Sequence, residues 1–253
     1  GEYYVSNNIE KQESQNPLNI TEEEAWVIGR YIADGHTRKD LRHDSHHNGS
    51  RAWQLILSVG NSKVEKFCSH IKELHYSCYK HSDGVHRVVF SNKRLVEISE
   101  GQCGIGAKNK QFGEMIIRLP NNLLEIVLKS YLEGDGCVCG EKFKVTTISP
   151  MLCMTLQRVV SKLYQKHICV TKHMPKEYRS LCGRIVHQNT QYVIEFSDHR
   201  LQQEKPKVID DKIWYNAKSF TLDHIQTVYN LEVEDDNSYT ANNIIVHNCQ
   251  SFS

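Results

Sequence analysis

Two nine-residue stretches decide the fold of this chain: "VIGRYIADG" at Val27–Gly35 and "LKSYLEGDG" at Leu128–Gly136. Each stretch completes a run of apolar residues at helical spacing, and each ends in the dipeptide Asp-Gly. The two aspartates, Asp34 and Asp135, are separated by roughly one hundred residues, and self-similarity at a fixed spacing is typical of a duplicated unit. The repetition therefore predicts a tandem duplication.

Signals at the ends of both stretches predict the bounds of two helices. Thr21 followed by Glu24 forms a capping box, so the first helix is predicted to begin there and to run to about Ala33. The second helix is predicted to begin after Pro120 and to end at its Asp-Gly dipeptide. The glycine after each aspartate is expected to adopt the left-handed conformation that commonly ends helices.

The segments that follow the two helices also correspond to each other. The first helix is followed by an alternating apolar strand at 53–59, a helix within 62–76 and a strand at 84–92. The second is followed by a strand at 141–149, a helix with apolar residues at helical spacing, and a hairpin at 183–198. Both halves therefore have the same α+β order.

The paired nonamers, each followed by strand, helix and strand, resemble the LAGLIDADG motifs of homing endonucleases. The resemblance covers about residues 21–205 and implies an α+β fold with two αββαββα-type subdomains, at 21–112 and 113–205, related by a pseudo-two-fold axis. It also implies metal-dependent double-strand cleavage of a long, specific DNA site. Residues 1–20 are interpreted as a leader or linker.

The resemblance implies that the two motif helices pack directly against each other. Closely packed helices need small residues at their contact. In the implied pairing, Gly29 and Ala33 face Ser130 and Gly134. This packing would bring the C-terminal ends of both helices together, with the aspartate that ends each of them.

Asp34 and Asp135 are therefore the candidate catalytic and metal-binding residues. Two carboxylates with waters completing the shell suit Mg²⁺ or another divalent cation, which can activate water in phosphodiester cleavage. A purely structural role is disfavoured, because a carboxylate at a helix C-terminus opposes the helix dipole. The family also tends to carry a lysine near the centre of the site; Lys110 is the candidate, Lys108 the second choice, and Lys207 a weaker one for the second half.

The net charge is only +1, but it is unevenly distributed along the chain. A basic stretch at 141–187, interleaved with tyrosines, suits a phosphate backbone, although solvated helix and strand faces would have the same composition. Double-stranded DNA is the expected partner, bound on the concave side of the strand pairs. The polar stretch 37–51 is predicted to be a solvated loop, with DNA contact as the alternative. The candidate DNA-binding residues are Arg38, Lys144, Lys172 and Arg184.

The cysteine pattern and the hydrophobic runs indicate a location inside the cell. Nine cysteines occur at irregular spacings, and the pair Cys137 and Cys139 lacks the spacing of a zinc site, so reduced thiols are expected. No apolar run is long enough to span a bilayer, and no membrane partner is expected. The predicted location is the cytoplasm of a bacterial or phage host cell.

The pattern changes from about Lys212, where short strands replace helical spacing. The stretch "VYNLEVEDDNSYTANNIIVHNC", residues 228–249, resembles the C-terminal splicing region of an intein. The resemblance implies an all-β, Hint-type splicing segment at 206–248. It also implies a second activity, the self-catalysed rearrangement of peptide bonds.

The chemistry of this segment depends on three consecutive residues. The side-chain amide of Asn248 can attack its own backbone carbonyl, and His247 can polarise that carbonyl. Cys249 supplies a thiol that can accept an acyl group from an upstream thioester. Asn237 stands where many such regions have a histidine. This departure is expected to slow the cyclisation of Asn248 or to leave its activation mainly to His247.

The two ends of the sequence lead to expectations about its partners. The chain opens at Gly1 rather than at Cys or Ser, and no Thr-x-x-His segment precedes residue 21. A C-terminal intein portion, naturally split or truncated, is therefore expected to act in trans with an N-terminal intein fragment. The last residues, "CQSFS" at 249–253, are interpreted as a C-extein remnant and resemble the catalytic loop of cytosine-5 DNA methyltransferases.

Two alternatives to this interpretation remain open. The first is a catalytically inactive or maturase-like nucleic-acid-binding protein that has kept the duplicated fold. The second is a freestanding endonuclease with a chance C-terminal tail. Retention of both motif aspartates favours cleavage over the first alternative, and the splicing-like stretch at 228–249 disfavours the second.

Overall fold

The computed structural model describes the backbone of residues 4–8, 16–41, 51–139, 142–164, 168, 170–175, 179–181, 184–186, 189–196, 207–209, 212–216, 238–241 and 244–247. Side chains are described within 16–39, 52–138, 142–164, 168, 170–175, 189–196, 212 and 214.

The described helices are α1 (Glu22–Asp34), α2 (Val64–Ser69), α3 (Lys93–Cys103), α4 (Glu114–Ile117), α5 (Asn121–Asp135) and α6 (Pro150–Tyr164). The strands of the helix-packed sheets are β2 (Gly35–Leu41), β3 (Arg51–Val59), β4 (Ser77–Lys80), β5 (His86–Phe90), β6 (Gly136–Cys139), β7 (Lys142–Thr147), β8 (Val170–His173) and β11 (Gln191–Phe196). The other strands are β1 (Tyr4–Asn8), β9 (Arg179–Leu181), β10 (Arg184–Val186), β12 (Lys207–Ile209), β13 (Lys212–Asn216), β14 (Ser238–Ala241) and β15 (Ile244–His247).

The predicted bounds of the two motif helices are confirmed. The hydroxyl of Thr21 accepts a hydrogen bond from the backbone N–H of Glu24, and the Glu24 carboxylate accepts one from the N–H of Thr21. This reciprocal capping box satisfies two backbone donors at the start of α1. Helix α5 begins directly after Pro120, as its fixed φ favours at a helix start.

The prediction of a left-handed glycine after each helix was wrong. Gly35 has φ −88° and ψ 151°, and Gly136 has φ −80° and ψ 146°, so both are extended. Glycine is needed at both positions because the backbone, as it passes from helix into strand, lies very close to the last turn of the preceding helix. A Cβ atom at Gly35 would lie 2.5 Å from the Cα of Tyr31, and one at Gly136 would lie 2.4 Å from the carbonyl oxygen of Leu132.

Two four-stranded antiparallel sheets follow the two motif helices, in the orders β2-β3-β5-β4 and β6-β7-β11-β8. Each sheet begins with the strand that continues its helix. The first half has the order α1-β2-β3-α2-β4-β5-α3, which is the predicted αββαββα pattern. The mixed α/β character and the duplication are therefore confirmed, and the Hint-type assignment of the C-terminal segment stays a prediction.

One face of each sheet packs against helices and forms the core. In the first sheet, the fully buried residues of this face include Leu55, Leu57 and Val88. In the second, they include Val145 and Ile194. Because side chains alternate along a strand, the intervening residues lie on the opposite, open face of each sheet.

The contact between α1 and α5 is the one predicted from small residues. A Cβ atom at Gly29 would lie 2.2 Å from the carbonyl oxygen of Val127 and 2.8 Å from the Cβ of Ser130. A Cβ atom at Gly134 would lie 2.4 Å from the Cβ of Ala33. The two backbones therefore approach too closely for larger residues.

Three predictions about the connecting segments were wrong. The polar stretch 37–51 contains strand residues at both ends, because β2 extends to Leu41 and β3 begins at Arg51. Helix α2 ends at Ser69, and the Glu23 carboxylate accepts hydrogen bonds from the backbone N–H groups just beyond it, at Glu73 and Leu74. The predicted hairpin at 183–198 does not form, because β10 pairs with β9, whereas β11 pairs with β7 and β8.

A separate β unit combines residues from both ends of the chain. Strand β1, within the predicted leader, pairs antiparallel with β13, which in turn pairs with β12. Strands β14 and β15 form an antiparallel hairpin, and β1 also contacts β15. Residues 4–8 therefore belong structurally with the segment predicted at 206–248.

None of the helices that the structure describes is long and apolar enough to cross a membrane. The described residues include five free cysteines, Cys68, Cys78, Cys103, Cys137 and Cys153.

Candidate active site at the paired helix ends

The C-terminal ends of α1 and α5 meet where the two sheets begin, and each ends in one of the predicted aspartates. The carboxylates of Asp34 and Asp135 are close enough for the charge on Asp34 to raise the pKa of Asp135. The larger cause is burial, and together these effects raise the pKa of Asp135 to about 6. Asp135 keeps a solvent-exposed surface, so a solute can reach it although protein surrounds most of it. The prediction that both aspartates lie together is confirmed; their role in metal binding stays a prediction.

Lys110 reaches the same place from the loop before α4. Its ammonium group donates hydrogen bonds to the carbonyl oxygens of Tyr31, at 2.6 Å, and Gly35, at 3.0 Å. It therefore satisfies carbonyls at the end of α1. Burial lowers the pKa of Lys110 to about 8, whereas Cys103 and the two aspartates act in the opposite direction.

The other two candidate lysines lie elsewhere. Lys108 is exposed in the short 3₁₀ turn Ala107–Asn109. Lys207 begins β12 in the separate β unit, and its side chain lies outside the described residues. The structure therefore places Lys110 beside the aspartates and does not place Lys108 there.

Arg30 is a member of this site that the sequence reasoning missed. It is only 5% exposed, and its Nη2 atom lies 3.2 Å from Oδ2 of Asp34. Its positive charge also lowers the pKa of Asp135 against the effects that raise it. A signal was available, since Arg30 lies four residues before Asp34, on the same helical face, in an otherwise apolar stretch.

The chemistry of these donors fits a hard divalent cation. Two carboxylates, one on each side of the helix contact, leave most of an octahedral shell to water, which is the arrangement that Mg²⁺ favours. The part of the chain that the structure describes contains no group of three or more His, Cys, Asp or Glu residues that could hold a metal. A closed zinc-type site is therefore not formed by these residues.

The candidate DNA-binding residues divide between the two faces of the sheets. Arg38 is paired with Gln54, and alternation places both on the open face of the first sheet. Lys144 lies on the open face of the second sheet, where its ammonium is 3.1 Å from the Glu195 carboxylate. Lys172 is paired with Tyr192. Tyr192 lies two residues from the buried Ile194 and therefore on the same face of the sheet, so Lys172 lies on the helix-packed side. Lys172 is exposed but lies on the other side of the sheet from Lys144, and its role in DNA binding stays a prediction.

The remaining candidates are only partly described. Arg184 lies in β10, and His247 ends β15; in both cases the side chain is outside the described residues. Asn248, Cys249 and Asn237 lie outside the described residues altogether. Their predicted roles stay predictions.

The chain is similar to segments of longer proteins that have different names. No family model matches the chain. It is 28% identical over 253 residues to an ATP-dependent DNA helicase, Hel308, of Thermococcus kodakarensis, covering 92% of this chain and 22% of that protein. It is 26% identical over 235 residues to an iron-sulfur cluster assembly SufBD family protein of Mycobacterium tuberculosis, and this match covers 89% of this chain and 27% of that protein. It is 22% identical to a DNA polymerase of T. kodakarensis, and this match covers 88% of this chain and 15% of that protein. The chain therefore spans between 15% and 27% of these relatives' lengths.

The solved structures to which the chain is similar include homing endonucleases. A mesophilic variant of I-DmoI has a TM-score of 0.45 at 13% identity, with 72% of this chain and 90% of that chain covered. I-DmoI in complex with DNA and Mn has a TM-score of 0.45 at 13% identity, covering 70% and 89%. I-WcaI bound to its DNA recognition sequence has a TM-score of 0.42 at 12% identity, covering 70% and 76%.

Proposed function

We propose that the chain is the C-terminal portion of an intein that carries a LAGLIDADG homing endonuclease. The observation that supports the endonuclease most directly is the pairing of Asp34 and Asp135 at the helix contact, with Lys110 beside them. Two open sheet faces extend from this point, one from each helix end. The substrate class is a long double-stranded DNA site, cut in both strands.

The residues of this chain have distinct parts in the proposed cleavage. Asp34 and Asp135 would hold the divalent cation, Mg²⁺ in the cell, which supplies Lewis acidity and activation of water for phosphodiester hydrolysis. Lys110 is held by two backbone carbonyls, and its ammonium adds positive charge where the phosphate becomes more negative. Arg38 and Lys144 would contact the DNA backbone from the open faces.

The alternative, an inactive or maturase-like nucleic-acid-binding protein, would use the same sheets without chemistry. A randomised duplex-DNA library separates the two proposals. Incubation with Mg²⁺ and sequencing of newly formed ends would reveal a recurrent cut site if the chain is an endonuclease. Enrichment of bound DNA without new ends would favour the binding protein.

Two observations support the splicing part of the proposal. Sequences similar to nearly all of this chain occur within a helicase, an iron-sulfur assembly protein and a polymerase, each of which is much longer. Proteins with such different names share a segment most simply when that segment is an inserted element. In addition, β1 pairs with β13 of the C-terminal segment, so residues on both sides of the endonuclease contribute to one β unit.

The proposed splicing chemistry belongs to the end of the chain. The amide nitrogen of Asn248 attacks its own carbonyl carbon, a succinimide forms, and the peptide bond to Cys249 breaks as the Cys249 amine leaves. His247 donates a hydrogen bond to that carbonyl. The partner is an N-terminal intein fragment, and the host protein is proposed to be a cytosine-5 DNA methyltransferase.

Cyclisation is tested by intact-mass measurement of the purified chain after incubation. The wild type is expected to lose residues 249–253, whereas Asn248→Ala is expected to keep its full mass because the attacking amide is absent. Asn243→Ala removes a neighbouring asparagine of the same segment and is expected to behave as the wild type. Adding a matching N-terminal fragment should then yield a ligated product. Equal release from the wild type and Asn248→Ala would contradict the proposed cyclisation.

The DNA-binding surface is tested by alanine variants on opposite sheet faces. Lys144→Ala and Arg38→Ala are each expected to weaken DNA binding about fivefold at moderate salt, because each removes one phosphate contact. Lys172→Ala removes the same charge from the helix-packed side of the second sheet and is expected to change binding less than about twofold. Binding is measured by fluorescence anisotropy over a salt series. A larger effect for Lys172→Ala would place the DNA on another surface.

A further inference from the structure

The guanidinium of Arg30 is a buried positive charge at the contact between α1 and α5. Its nearest carboxylate is that of Asp34, four residues along the same helix. A Cβ atom at Gly134 would lie 3.1 Å from Nη1 of Arg30, so the guanidinium packs against the backbone of the opposite helix. It therefore lies between the elements that carry both aspartates.

This guanidinium is incompletely hydrogen-bonded. Its Nε is buried and has no hydrogen-bond partner among the residues that the structure describes. A guanidinium has five N–H donors, and a buried one is most stable when a carboxylate engages it in a two-pronged pair. The single contact at 3.2 Å to Asp34 is therefore a weaker arrangement than a buried arginine can make.

The pseudo-symmetric position in α5 carries a different residue. Tyr131 lies four residues before Asp135, as Arg30 does before Asp34. The Tyr131 hydroxyl is fully buried and has no hydrogen-bond partner among the described residues. The two carboxylates are thus chemically unlike: Asp34 is paired with an arginine one turn earlier on its own helix, whereas a neutral phenol occupies the matching position before Asp135.

We propose that Arg30 is a resident counter-ion, which offsets part of the negative charge of the paired aspartates in the ion-free protein and competes with a divalent cation for Asp34. The proposal rests on the metal-binding role of the two aspartates given above. Without Arg30, only the Lys110 ammonium would offset the repulsion between two neighbouring carboxylates at a tight helix contact. With a divalent cation bound, the positive charge of Arg30 opposes it, and its contact with Asp34 weakens. Arg30 makes its ion pair with Asp34 and acts on Asp135 only through its charge, so Asp135 then contributes more to binding the first ion.

Direct measurement of Mn²⁺ binding tests the proposal without DNA. Electron paramagnetic resonance of free Mn²⁺ gives the affinity of wild type and of Arg30→Gln. Arg30→Gln is expected to bind Mn²⁺ about tenfold more tightly, because a repelling unit charge is removed. It is also expected to melt at a lower temperature than the wild type in chelator and to regain more stability when Mn²⁺ is added. Arg118→Gln, which breaks an exposed pair with Glu114, is the matched control and should leave Mn²⁺ affinity unchanged.

Parallel measurements on Asp34→Asn and Asp135→Asn separate this proposal from the proposed function. If both variants lose Mn²⁺ binding while Arg30→Gln equals the wild type or binds more weakly, the counter-ion proposal is overturned and the metal site stands. If the wild type and every variant fail to bind Mn²⁺, both are overturned.

A measurement on the wild type covers the case in which Arg30→Gln does not fold. The Nε–H resonance of Arg30 in ¹⁵N-labelled protein is expected to shift during a Ca²⁺ titration, as its contact with Asp34 weakens. A resonance that stays in place while the neighbouring Asp34 amide shifts would overturn the proposal.

Discussion

Asp135→Asn is expected to lower the rate of DNA cleavage at least about a thousandfold, while DNA affinity changes less than about twofold. Asparagine keeps the size of the side chain but removes the negative charge that would hold a divalent cation. The open sheet faces that would bind DNA are unchanged. Cleavage is measured under single-turnover conditions on a plasmid containing a site from the library selection, with nicked and linear products counted separately.

Stability provides the first control for this result. Burial and the nearby Asp34 raise the pKa of Asp135 to about 6, so its ionisation costs stability as pH rises towards that value. A neutral asparagine at pH 7 is therefore expected to leave the melting temperature unchanged or higher. Loss of cleavage with normal melting then identifies a chemical role.

A neighbouring acid provides the matched substitution. Glu133→Gln removes a negative charge two residues earlier, where the carboxylate pairs with Lys66 at 2.6 Å. Its rate is expected to stay within about threefold of wild type, since exposed pairs contribute little. If Asp135→Asn cleaves as fast as Glu133→Gln, Asp135 has no part in the reaction.

Gly29→Ala is expected to lower the free energy of unfolding by about 3 kcal/mol, through overpacking of the contact between α1 and α5. The added methyl group would lie 2.2 Å from the backbone carbonyl oxygen of Val127, which cannot rotate away. The helices must therefore separate. Because the aspartates end these same helices, cleavage should fall together with stability.

Gly101→Ala is the matched control for this substitution. Gly101 lies within α3, and a Cβ atom there would have no neighbour within 4 Å. The same glycine-to-alanine change is expected to raise the free energy of unfolding by about 0.5–1 kcal/mol, because alanine favours the helix. Urea unfolding measures both variants. Equal stability of Gly29→Ala and wild type would mean that the two helices are not in the described contact.

Local signals predicted the motif helices well. The capping box at Thr21 and the proline before α5 act within a few residues, so their effect can be read from the sequence. The small residues at the helix contact were identified from the resemblance to paired motif helices, which implies that the two helices pack closely. The same resemblance predicts that the two aspartates lie close together.

Strand pairing was predicted less well, because it depends on partners that are distant in sequence. Strands β2 and β6 begin immediately after their helices and have no regular alternation of apolar and polar residues. β11 pairs with β7 and β8 rather than with its neighbour β10. The side of the sheet on which Lys172 lies follows from that pairing and could not be derived from composition.

The sequence by itself determined the duplication and the bounds of its two motif helices, since the repeat and the helix caps are read from residues close together in the chain. The meeting of Asp34 with Asp135 was predicted from the resemblance to paired motif helices. Only the tertiary structure decided how the site is charged. Burial and neighbouring groups set the protonation of Asp135 and Lys110, and they place the cation of Arg30 beside one aspartate and the phenol of Tyr131 near the other. Electrostatic interaction depends on distance and on exclusion of water, and both exist only after the chain has folded.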